Sequence, residues 1–219
     1  MSVSAVVFDF DNVIALLPDG TGSEEIKDAV WPEVFGDAWG SIKDTFPDIL
    51  RKNAGGNGSR FTVIREALIQ LAFQGNFEEE VQRRAEVFNR RVLEGITGMG
   101  VPSETKVFLE KLSSRLPIFI NSATPLAPLQ GLLRGFGILT FFTEVYGQEI
   151  GKTEGLRCAL KQVGETDPQK ILFVGDAVTD YEASQTVGTL FVGVATKRNG
   201  WREKSQAFPV VSAVYKITV

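Results

Sequence analysis

Four apolar runs do most to restrict how this chain can fold: SAVVFDF at 4–10, PIFI at 117–120, KILFV at 170–174 and TLFVGV at 189–194. Their apolar residues follow one another without the alternation of a half-exposed strand, which is the pattern of a parallel sheet covered on both faces. Amphipathic stretches at 103–113, 126–136, 153–163 and 178–187 fall between or beside them, and a weaker strand is expected over 142–146. This βα alternation predicts an α/β fold built on a doubly wound parallel sheet. Ser103 and Thr153 suit helix N-caps, and Gly164 stands where the helix beginning near 153 would stop.

The alternation breaks between Ala15 and Ile96, where no convincing strand occurs. NFEEEVQRRAEVFNRRVLEG is helical in pattern: Asn76 can cap it, and Phe77, Val81, Phe88 and Val92 share one face. The expected organisation is therefore a core of 1–14 and 97–219, interrupted by an all-helical insertion at 15–96. LLPDGTG and GITGMGVPS bound the insertion, and RKNAGGNGSR inside it reads as a flexible turn between two helices.

Charge and composition exclude several kinds of function. A net charge of −4 and a pI near 5.1 argue against a nucleic-acid partner or an anionic membrane surface, either of which needs clustered Lys and Arg. No apolar run approaches the roughly 20 residues of a membrane span, and the N-terminus leads directly into a strand, so a cytoplasmic protein is expected. Cys158 is the single cysteine, and in LRCALKQV it reads as a helix packing residue. Oligomeric state has no signature in the pattern. Histidine is absent, which removes Ser-His-Asp and Cys-His catalysis together with His-ligated zinc or iron. Acid–base chemistry would then fall to Asp, Glu, Lys, Tyr or water, and a metal site would be built from oxygens, as suits a hard cation such as Mg²⁺.

Two carboxylates, Asp9 and Asp11, close the first apolar run. An ionised group left unpaired in a low-dielectric interior costs several kcal/mol or takes up a proton, so this pair calls for a cation or a polar pocket. Ligands of open α/β sheets collect at the carboxyl ends of the strands. The other candidates there are Ser122 and Ala123 after the second run, Lys152 in a loop before a helix, and Asp176 with Asp180 after the run at 170–174. Taken singly each has an ordinary structural reading, as a surface charge or a helix cap. Together they would form a site for Mg²⁺ and an anion.

FDFDNV, IFINS, GK and ILFVGDAVTD, in that order, resemble the four motifs of the haloacid dehalogenase superfamily of phosphatases. The resemblance implies a Rossmann-like core with a small α-helical cap inserted between the first and second motifs. It implies that Asp9 is the nucleophile and Asp11 the acid and base. Asp9, the backbone carbonyl of Asp11 and Asp176 would hold Mg²⁺, with Asp180 orienting the set or a metal-bound water. Lys152, the Ser122 hydroxyl and the Ala123 amide would bind phosphate. A phosphatase of a small phosphorylated metabolite follows, of the sugar phosphate or phosphoglycolate type, working through an aspartyl phosphate. In relatives a cap turn supplies specificity contacts, which points to Arg60, with Arg51, Lys52 and Arg65 as alternatives.

Two positions depart from the family pattern. Asn12 stands where a glycine or small residue is usual, and it tolerates the positive φ that such a turn requires. Thr153 stands where a proline commonly follows the lysine. A phosphomutase would share every core residue, and dehalogenase chemistry would need neither Asp11 as a proton donor nor Mg²⁺. A non-catalytic phospho-acceptor or ligand-binding protein is the alternative outside the enzymes.

Overall fold

The computed structural model describes residues 3–53 and 59–218. Its sheet is wholly parallel, in the order β3-β2-β1-β4-β5-β6, from β1 (Ala5–Phe8), β2 (Ile118–Asn121), β3 (Glu144–Tyr146), β4 (Ile171–Gly175), β5 (Leu190–Val194) and β6 (Val210–Val211). β1 lies between β2 and β4, and Ala5, Val6, Val7 and Phe8 are fully buried, as a strand covered on both faces requires. The strand order turns outward in both directions from β1, which makes its carboxyl end the topological switch point. Phe8 pairs with Ile120 on one side and Val174 on the other, so Asp9, Asn121 and Gly175 come level with one another.

The expected α/β architecture is thus present, with the ends of five of the six strands within two residues of the sequence reading. β6 was not foreseen: two residues are too short to show a period.

The chain divides into two units, one formed by the segments up to Glu24 and from Ile96 onward, the other by Glu25–Gly95. Residues 15–24, placed with the insertion on sequence, belong to the first unit. Leu16 forms a bridge with Gly22, and the Asn12 side chain holds Ser23 and Glu24.

The described residues of the second unit carry helix and no strand. α1 (Ser23–Phe35), α2 (Trp39–Ile42), α3 (Phe46–Lys52), α4 (Arg60–Gln70) and α5 (Phe77–Met99) supply it. Val81, Ala85, Phe88 and Val92 of α5 are buried at helical spacing, and Asn76 Oδ1 accepts the Glu79 N–H at 3.4 Å, as its capping position predicts. Trp31, Phe35, Trp39, Phe46 and Phe88 form an aromatic cluster, with Trp31 and Phe88 ring centres 4.5 Å apart. Arg84 is buried against it, over the Phe35 ring, donating to the Val34 carbonyl and paired with Glu80. The middle of the expected glycine-rich turn, residues 54–58, lies outside the described residues.

In the first unit α6 (Ser103–Ser113), α7 (Leu126–Gly135), α8 (Lys152–Gln162) and α9 (Val178–Val187) follow the expected stretches. Two caps differ. Pro102 precedes α6, making Ser103 its first residue, and Gly151 caps α8 at φ +78°, making Lys152 the first residue of that helix and Thr153 the second. That left-handed turn is open to glycine and strained for other residues. Gly164, at φ +69°, ends α8 as expected.

Candidate active site

β1 delivers Asp9 into a nearly closed environment, and the carboxylate is only 9 % exposed. Its Oδ1 accepts the Phe10 N–H at 2.7 Å and faces Lys152 Nζ at 2.7 Å. Lys152 reaches it from the first position of α8, passing 5.6 Å above the Phe173 ring centre, and pairs equally with Asp180 Oδ1 at 2.8 Å. One buried ammonium therefore joins two carboxylates. Burial alone would lower the lysine's proton affinity, but the two ion pairs outweigh it and hold Lys152 above its ordinary value.

Asp180 is fully buried, and its second oxygen, Oδ2, accepts the Asp176 and Ala177 N–H groups, both at 3.2 Å. It thereby shapes the loop that carries Asp176. Gly175 leaves room for this: a Cβ there would lie 2.5 Å from Asp180 Oδ2. Asp9, Asp176 and Asp180 each offer an oxygen within 4.8 Å of the others, and Lys152 pairs with two of these three acids, Asp9 and Asp180.

That excess of negative charge shows in the proton affinities. Burial, partly offset by Lys152 and reinforced by Asp180 and Asp11, pushes Asp9 up to about 7. Burial followed by Asp9 and Asp180 pushes Asp176 up to about 8. Acids that retain protons near neutrality because they are buried beside one another form a donor set suited to a hard divalent cation, and every donor in it is an oxygen.

The second strand end completes the surroundings. Ser122 is buried, with its Oγ accepting the Thr124 N–H at 3.1 Å, and a hydroxyl that accepts one bond keeps its own proton to donate. Ala123 is exposed between them. Thr124 Oγ1 donates to Asp11 Oδ2 at 3.2 Å, tying the loop after β2 to the loop after β1. The structure thus brings together Asp9, Lys152, Asp176 and Asp180, and links Asp11 to the Ser122–Thr124 turn. Arg60 belongs to the second unit. It begins α4, with its guanidinium 4.9 Å from the Phe61 ring centre, and partial burial lowers its proton affinity.

Three asparagines support the site in roles that the sequence pattern does not reveal. Asn12, at φ +54°, donates to Asp176 Oδ2 at 3.1 Å. Asn199 donates to the Asp176 and Val194 carbonyls at 3.0 and 2.8 Å and accepts the Thr196 and Trp201 N–H groups. Asn121, fully buried, donates to the Lys152 carbonyl at 2.7 Å. An amide fully buried at the end of an apolar strand needs a partner, and that was the available signal for Asn121.

A family model described as haloacid dehalogenase-like hydrolase matches residues 3–188. The chain belongs to the haloacid dehalogenase-like hydrolases. Compared with curated proteins, its sequence matches none. Among solved structures it resembles β-phosphoglucomutase from Clostridium difficile, with 21% identity, 99% of this chain and 93% of that one covered, and a TM-score of 0.64. Bacillus subtilis YfnB, described as bound to magnesium, shares 15% identity over 98% and 96% of the two chains, with a TM-score of 0.68. A 2-haloacid dehalogenase from Pseudomonas syringae shares 14% over 97% and 95%, with a TM-score of 0.63. A mutase and a dehalogenase on the same fold leave the chemistry of this hydrolase to its own site.

Proposed function

We propose that this haloacid dehalogenase-like hydrolase is a Mg²⁺-dependent phosphatase acting on a small phosphorylated metabolite. The observation that carries the reading is the cluster of three acids, Asp9, Asp176 and Asp180, two of which, Asp9 and Asp180, share the single ammonium of Lys152, with Asp11 two residues beyond Asp9. Dehalogenation has no use for the second carboxylate or for excess negative charge at Asp176.

In this reading Asp9 attacks phosphorus and becomes an aspartyl phosphate, while Asp11 gives its proton to the departing alcohol oxygen. Asp11 then takes a proton from the water that attacks the aspartyl phosphate, releasing phosphate and restoring Asp9. Lys152, the Ser122 hydroxyl and the Ala123 N–H hold the transferring oxygens. Asp180 keeps Lys152 and the Asp176 loop in place through the contacts described above. Asp9, Asp176 and the Asp11 carbonyl would hold Mg²⁺, which when bound supplies the positive charge that lets a carboxylate approach a phosphate dianion.

The test is phosphate release from para-nitrophenyl phosphate and from a panel of sugar phosphates and phosphoglycolate, with Mg²⁺ and with EDTA. Release that needs Mg²⁺ supports the reading, and undiminished release in EDTA overturns it. Isomerised substrate without free phosphate would identify a mutase in its place.

A further inference from the structure

The side chain of Asn12 reaches in two directions. Its Nδ2 donates to Asp176 Oδ2 at 3.1 Å, and its Oδ1 accepts from Ser23 Oγ at 3.3 Å and the Glu24 N–H at 3.4 Å. The residue is 5 % exposed, so these contacts are shielded from water. The two ends of an amide are not interchangeable. Two donors on the oxygen oblige the NH₂ group to face the carboxylate.

The surrounding chain is shaped to permit this. A positive φ at Asn12 turns the side chain into position, and a Cβ at Gly22 would lie 2.2 Å from Asn12 Oδ1. The Glu24 N–H is one of the first-turn donors of α1 that no carbonyl within the helix can satisfy, so the start of α1 is a natural anchor. The main chain of Asp176 is held separately, through the Asn199 bond to its carbonyl. Asn12 is therefore placed to set the orientation of the carboxylate, since the loop already has its own support.

We propose that Asn12 is a positioning residue for cation binding, holding one oxygen of Asp176 so that the other is presented to the metal, with its own orientation set by the first turn of α1. This rests on the reading of Asp176 as a Mg²⁺ ligand. Partners that orient a metal ligand in this way typically govern metal affinity by about ten- to a hundredfold.

The experiment is a Mg²⁺ titration by calorimetry without substrate, accompanied by the Mg²⁺-induced rise in Tm, on the parent protein, Asn12→Gly and Ser23→Ala. Glycine keeps the positive φ, so the backbone path survives the loss of the amide. Asn12→Gly should weaken Mg²⁺ binding by about tenfold or more, and Ser23→Ala, which removes one of the two anchors, by a few-fold. If Asn12 served only to cap α1, Asn12→Gly would lower the metal-free Tm and leave the Mg²⁺ Kd within twofold, and the inference would fall. Should Asn12→Gly not fold, an unchanged Kd in Ser23→Ala overturns the inference and a weakened one supports it. A parent protein that binds no Mg²⁺ overturns the phosphatase reading and this inference with it.

Discussion

The Lys152 ammonium stands 2.7 Å from Asp9 Oδ1, on the residue proposed as the nucleophile. The pairing keeps the carboxylate in place and offsets part of its charge, but Asp176 and Asp180 share the same enclosure. Asp9→Asn removes one negative charge from a crowded group while preserving its shape. Turnover should fall by at least about a thousandfold, an amide being no nucleophile, with Tm equal to or above that of the parent in EDTA. Activity within tenfold of the parent would exclude Asp9 as the attacking group.

Lys152→Met leaves two buried carboxylates without their cation. Breaking a buried ion pair by removing one partner typically costs about 3–5 kcal/mol, and that loss is expected here near pH 8 in EDTA. Near pH 5 Asp9 holds a proton and the loss should shrink. Urea unfolding at the two pH values checks this, and equal losses would mean that the lysine acts through packing alone.

The parent protein should show an unusual pH dependence of stability when free of metal. Asp9 rises from 3.8 to about 7 and Asp176 from 3.8 to about 8 on folding. Between about pH 4 and pH 8 the folded chain therefore binds more protons than the unfolded one, so stability falls as pH rises through this window. Lowered carboxylates such as Asp19, Glu80 and Glu165 act below it and do not reverse the trend. Tm in EDTA should decline from pH 5 to pH 8, and saturating Mg²⁺ should raise it more at pH 8 than at pH 5. A Tm in EDTA that climbs over this range would contradict the assignment of raised proton affinities.

The acids were legible in the sequence because their cost is: an apolar strand ending in two carboxylates must be compensated somewhere. Lys152 was legible as a charge near a helix start, but its partners depend on the sheet register that sets Asp9 beside β4 and on Gly151, in place of Thr153, capping α8. The roles of the asparagines were not legible, for the opposite reason to the acids. A neutral amide in a turn carries little cost and has several local uses, so Asn12 was read for its φ alone and Asn199 was not read at all.

Gly155 gives a case in which packing should overrule propensity. Alanine in a helix interior is ordinarily better than glycine by about 1 kcal/mol. Here a Cβ would lie 2.5 Å from Asn121 Oδ1 and 2.7 Å from its Nδ2, the amide that holds the Lys152 carbonyl. Gly155→Ala should therefore destabilise by about 1–3 kcal/mol, the usual cost of overpacking, and reduce kcat by displacing Lys152. A stabilised variant with unchanged kcat would show that Asn121 yields without moving the lysine.

Arg60 is the expected specificity residue of the second unit. Its Nε is buried and has no hydrogen-bond partner among the described residues, and the burial that lowers its proton affinity is not offset by a carboxylate. A guanidinium in that state has donors to offer an oxygen-rich ligand, in the forked geometry that suits anions and vicinal hydroxyls. If such contacts involve substrate groups other than the phosphoryl group, an aryl phosphate that lacks those groups cannot make them. Arg60→Ala should then lower kcat/KM for the best metabolite in the panel by about ten- to a hundredfold, or about 1.4–3 kcal/mol, while changing that for para-nitrophenyl phosphate by less than about threefold. Losing the Phe61 contact alone would disturb α4 and depress both substrates together, and no loss on either would leave Arg60 with a packing role only. The ratio of the two kcat/KM values, measured at one enzyme concentration and saturating Mg²⁺, separates these outcomes, because a fall in the fraction of folded enzyme cancels from the ratio and a lost substrate contact does not.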